Sequence, residues 1–165
     1  MSENQQAESQ RKSGPFASLI GRKAQGCWLG YGSVLFLEFG EPQPLKDLDR
    51  HPFGEWSLWG DHILWRIEQE DRVLAGSEDD RSVMERAIEQ INDRVLVSGE
   101  ISQSTGDSQL EFADHIVLKT FVLTSEEDAR WQLRHGNTDF AALGPSLAAC
   151  ADTPVPASAD GDLRR

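Results

Sequence analysis

The chain has 165 residues and carries 16 Lys and Arg against 28 Asp and Glu, a formal net charge of −12, with 38% hydrophobic residues. Between Phe16 and Gly136, 12 Lys and Arg stand against 22 Asp and Glu, so a net −10 sits on the segment that reads as folded. A field of that sign repels phosphate backbones and excludes generic nucleic-acid binding. It fits a basic protein partner, a divalent cation, or solubility alone.

No apolar run approaches the roughly 18 residues of a membrane span, and the N-terminus lacks the apolar core of a signal peptide. The expected location is cytoplasmic. Cys27 lies in an apolar stretch and Cys150 near the C-terminus. In a reducing compartment that pattern points to a small buried hydrophobe rather than a disulfide.

Residues 1–15 are polar and read as a disordered arm, and residues 137–165 as a largely disordered tail. The expected folded domain is 16–136. Phe16 to Ile20 is apolar and fits one helical turn or an edge segment on a sheet. Lys23–Leu29 and Ser33–Phe39 read as strands joined by a Gly30-Tyr31-Gly32 hairpin turn. Because those glycines lie between strands, they suit a turn and not a phosphate cradle. The second strand is almost continuously apolar, so it is expected to be covered on both faces. Its one carboxylate, Glu38, shares a face with Val34 and Phe36. A Pro-rich loop follows to Phe53, then strands at Glu55–Trp59, Ile63–Glu68 and Arg72–Ala75, the last two joined by a polar turn.

Ser77 to Asp80 has the form of a capping segment. Val83, Met84, Ala87, Ile88 and Ile91 then recur at helical spacing, which predicts one amphipathic helix over about Asp80–Ile91. Arg81 and Glu85, four apart on its solvent side, can pair. Asn92-Asp93 ends it. Beyond lie strands at Arg94–Ser102, where Val95, Val97, Gly99 and Ile101 share one face, and at Gln109–Ala113, His115–Leu123 and Arg130–Arg134. Asp114 marks a bulge or a tight turn. Strands, one helix, then strands predict an α+β fold. The expectation is a mainly antiparallel sheet or a half-open barrel of about six to eight strands with the helix packed on it.

Gly54 to Ile67, GEWSLWGDHILWRI, holds three of the five tryptophans. One reading fills a core with them. The other makes a ligand or partner groove with Glu55, Trp59, Asp61, His62 and Arg66 as its binding residues, since pockets combine aromatic walls with a few polar groups. The string GEW-x-LW, five residues, then WRI, after LIG and G-x-G-S-x-x-x-LEFG, resembles a family of small bacterial proteins known as a domain of unknown function. The likeness spans roughly Phe16 to Trp131 and departs at Gly60-Asp61-His62, where more apolar residues are expected, which puts strand continuity there in question. It implies a compact bacterial cytoplasmic domain and brings no established activity.

His51, His62, His115 and His135 are scattered, so no metal site is expected, and no nucleotide loop or nucleophile motif points to a cofactor or a catalytic residue. The best sequence-level reading is a non-catalytic protein-binding module, of the kind by which an antitoxin masks a basic toxin. The alternative is a small-molecule or enzymatic site near Trp59.

Overall fold

A strand that turns out of one sheet and into another organises the molecule. The computed structural model describes residues 14–44, 51, 53–60, 62–123, 131–136 and the backbone of 141–143. The elements are β1 (Trp28–Leu29), β2 (Leu35–Phe39), β3 (Trp56–Gly60), β4 (Ile63–Gln69), β5 (Arg72–Gly76), α1 (Arg81–Glu89), β6 (Leu96–Ile101), β7 (Ser108–Phe112), β8 (Ile116–Val122), β9 (Trp131–His135) and β10 (Ala141–Leu143). They form two five-stranded sheets, β1-β2-β3-β9-β10 and β5-β4-β8-β7-β6, with every pairing antiparallel. Among the described residues the fold is therefore α+β and mostly sheet, without a closed barrel, and it has more strands than the sequence suggests. β10 lies beyond Gly136, where the sequence signal fades. The expected N-terminal arm as far as residue 13, and residues 144–165, lie outside the described residues.

The corner falls between β3 and β4. Gly60 pairs with Trp131 in the first sheet, and Ile63 pairs with Val122 in the second. His62 has φ 52, a left-handed conformation that few residues adopt. A Cβ on Gly60 would stand 2.4 Å from Ile63 Cδ1, so any larger residue there would have to push the Ile63 side chain aside at the corner. The change of sheet thus falls between Gly60 and Ile63, where strand continuity was in question from the sequence. On the far flank, residues 22–25 bond to both sheets: Leu96 N donates to Arg22 O at 2.9 Å and Gln25 N to Glu38 O at 2.8 Å.

The inner faces enclose one core, with Leu35, Leu37, Phe39 and Leu58 from the first sheet and Trp65, Ile67, Leu110, Phe112, Ile116 and Leu118 from the second. Phe39 and Phe112 stack across it at 6.4 Å. The indoles supply the polar ties: Trp65 Nε1 donates to Ser33 O at 2.7 Å, and Trp131 Nε1 to Ser108 Oγ at 2.9 Å. The Ser108 and Thr120 hydroxyls bond each other at 2.6 Å. Phe16 lies edge-on to Trp131 at 6.2 Å, within a helical turn that begins at Gly14.

α1 packs on the edge strands β5 and β1 and buries Met84, Ala87 and Ile88, while Ile91 is buried just beyond it. The stripe and the Arg81–Glu85 pair, at 2.8 Å, match expectation. The cap does not: Asp80 holds the N-cap position without a side-chain hydrogen bond, and Asp79 instead accepts from Gly76 N at 2.8 Å. Two further readings change, and the open alternative at Asp114 resolves. Lys23–Leu29 is paired as a strand only at Trp28–Leu29, since Gly26 takes φ 68. In β6 a bulge between Leu96 and Ser98 breaks the alternation, so Val95 and Val97 are exposed and Leu96 is buried with Ile101. Asp114 belongs to a tight 3-10 turn, with φ 61.

Candidate functional site

The outer face of the first sheet gathers the unusual chemistry. Leu35, Leu37 and Leu58 point into the core, so their alternate neighbours point away from it. Register sets Trp28 beside Phe36, Phe36 beside Trp59, and Trp59 beside Gln132. The rings stack as a column: Trp28 on Phe36 at 4.0 Å, Phe36 near Trp59 at 5.6 Å, and His51 on Trp28 at 4.1 Å.

The next outward row is Glu38, Ser57 and Arg134. Glu38 is fully buried. Its Oε2 accepts from Ser57 Oγ at 2.5 Å and Gly54 N at 2.9 Å, while its Oε1 has no hydrogen-bond partner among the described residues. Burial pushes the carboxyl above its ordinary pKa. The Ser57 and Gly54 bonds, the Arg134 charge and the Trp28 indole pull it back only in part. Arg134 also donates to Ser57 Oγ at 3.3 Å and lies over the Phe53 ring at 4.5 Å. A Cβ on Gly54 would come within 2.5 Å of Phe39 O, so the close approach that lets its N–H reach Glu38 needs glycine. The Cys27 thiol, buried near Glu38, is pushed up to about 12, chiefly by burial. It stays protonated at neutral pH and is no nucleophile.

Of the five binding residues expected from sequence, the four that are described lie at separate places on the surface. Trp59 belongs to the aromatic column. Glu55 lies at the other end of β3, pairing with Arg22 at 3.1 Å and His135 at 3.2 Å, while Trp56 stacks on His135 at 4.1 Å. His62 is exposed at the corner. Arg66 points outward from the second sheet, since Trp65 and Ile67 on either side face the core. It pairs with Glu68 at 2.6 Å. Asp61 lies outside the described residues. Sequence reasoning missed Glu38, Ser57 and Arg134. The signal for Glu38 was present: a lone carboxylate in a strand expected to be covered on both sides.

The outer face of the second sheet is open. A depression of 570 Å³ there is bordered by Glu68, Glu70, Asp71, Glu111, His115 and Lys119 among others. Glu68 accepts from Lys119 at 2.8 Å, and that bond, with Arg66, holds its carboxyl below the usual range. Among the described residues no group of His, Cys, Asp and Glu is placed to hold a metal ion, and no helix is long and apolar enough to cross a membrane. No protein-family model, curated protein or solved structure matches this chain.

Proposed function

We propose that this chain is a non-catalytic protein-binding module whose acidic surface docks a basic partner protein, as an antitoxin masks a toxin. One observation carries the reading: most of its described cations are already spent. Arg22 pairs with Glu55, Lys23 with Asp93, Arg66 and Lys119 with Glu68, Arg81 with Glu85, and Arg94 with Asp114. Glu70 and Asp71 at one end of β5, and Glu78 and Asp80 beyond the other, are exposed and form no ion pair among the described residues. Their field is left for an outside counter-charge, which speeds encounter with a basic surface.

The test is affinity capture with the full chain and with a variant carrying Glu70→Lys, Asp71→Lys, Glu78→Lys and Asp80→Lys. A stoichiometric basic protein should be held at low salt, weaken at physiological salt, and be lost from the variant. Recovery of no such protein, or equal retention by the variant, overturns the reading.

A second reading rests on the outer face of the first sheet, where buried Glu38 adjoins the aromatic column. It makes that face a small-molecule site near Trp59. A metabolite screen by thermal shift tests it, because a ligand that binds only the folded state raises the melting temperature by mass action. If no metabolite class shifts the transition, that reading falls.

A further inference from the structure

The β1–β2 turn combines an immobilised backbone with a side chain given wholly to water. Every carbonyl from Leu29 to Ser33 is held. Arg81 Nη2 donates to Leu29 O at 2.9 Å, and its Nη1 donates to Gly30 O at 3.1 Å and Gly32 O at 3.4 Å. Trp65 Nε1 donates to Ser33 O at 2.7 Å, and Val34 N closes the turn on Tyr31 O at 3.3 Å. The pins come from the helix start and from the core of the second sheet, so the tip is fastened to two other parts of the molecule. Tyr31, at its apex, is 98% exposed. Scattered exposed apolar residues are ordinary. An aromatic ring standing alone on a turn fixed at each carbonyl is not: the backbone is already ordered, and the side chain has two torsions to lose. That is the low-entropy anchor interfaces favour.

Charge names the partner. Arg81, the cation nearest the tip, is occupied by three carbonyls and by Glu85. Asp80 precedes it and Glu78 lies two residues further back, both exposed and without an ion pair among the described residues. We propose that Tyr31 is the anchor of a protein–protein interface, inserting into a pocket of a basic partner while the acids at the start of α1 form the rim. This rests on the acidic binding-module reading and assigns its contact point.

The probe is a phage-displayed random peptide library selected on the full chain, with the recovered peptides resynthesised and titrated by fluorescence anisotropy. Enriched peptides should carry Lys and Arg. Tyr31→Ala should weaken them by about 30-fold, the scale of an interface hot spot. Val97→Ser, which alters exposed apolar surface elsewhere, should stay within about twofold. Tyr31→Ala should melt as the wild type does, since the side chain is exposed, which separates lost contact from lost fold. Basic peptides that bind Tyr31→Ala as tightly as the wild type overturn the anchor and leave charge-driven docking standing. A selection without basic enrichment overturns the module reading and the anchor with it.

Discussion

Replacing Glu38 by glutamine should make the protein's pH dependence of stability shallower, in a direction the structure fixes. Glu38 is fully buried, and its folded carboxyl titrates above the ordinary value because burial penalises the charge. A carboxyl with a raised folded pKa holds its proton more tightly in the folded state than in the unfolded one. Its stabilising contribution is therefore complete below the unfolded value, about 4.3. That contribution is lost as pH rises from there through the folded pKa, at about 1.4 kcal/mol for each pH unit between the two. Glu38→Gln keeps an oxygen for Gly54 N and Ser57 Oγ and removes the titration. Relative to the wild type, the variant should gain stability as pH is raised from about 4 toward neutrality. Glu38→Ala instead strands the Ser57 hydroxyl and the Gly54 N–H and opens a cavity, costing about 2–4 kcal/mol at any pH. Urea unfolding followed by tryptophan fluorescence across that pH range measures both. A wild type that gains on Glu38→Gln as pH rises would refute the reasoning, because it would mean that the Arg134 charge and the two hydrogen bonds outweigh desolvation.

Gly60→Ala should destabilise by about 1–3 kcal/mol in chemical denaturation, since its Cβ would overlap Ile63 Cδ1 at the corner; an unchanged midpoint would show that the corner relaxes freely. Trp131→Phe keeps an aromatic ring but removes the N–H that bonds Ser108 Oγ, which retains Thr120, and a loss of about 1–2 kcal/mol is expected from the lost bond and the smaller ring. Parity with the wild type would deny that this cross-sheet bond matters. In a Cys150→Ser background, Cys27 should resist iodoacetamide at pH values well below 12 until denaturant is added, as a buried thiol raised to about 12 must. Prompt labelling of the native protein would contradict its burial.

Where the fold was legible in the sequence, a local pattern and its packing agreed. The helix stripe from Val83 to Ile91, the alternation in Ile116–Val122 and the Gly30-Tyr31-Gly32 turn each carry their own period or turn chemistry, and the structure keeps them. The failures arose where one residue shifts a register. The bulge after Leu96 reverses which side of β6 is buried, and nothing in Val-Leu-Val-Ser announces it. The binding residues were grouped by nearness along the chain, yet a change of sheet after Gly60 sends Trp59 and Arg66 to different outer faces. The row that does converge takes Glu38, Ser57 and Arg134 from three strands far apart in sequence. Only pairing register reveals it, although a carboxylate inside an apolar strand was the clue.

The corner at Gly60 also bears on how the chain emerges from a ribosome. β3 sits mid-sheet between β2 and β9, and β4 lies between β5 and β8. β5 follows β4 almost at once and β2 precedes β3 by one loop, whereas β8 comes only after the helix and two more strands, and β9 after β8. Until Trp131–His135 has been synthesised, a tryptophan-bearing strand displays an unpaired edge with no neighbour to cover it. Pairings so distant in sequence fold slowly, so the nascent chain must hold that edge safe from other chains while residues 61–130 are made.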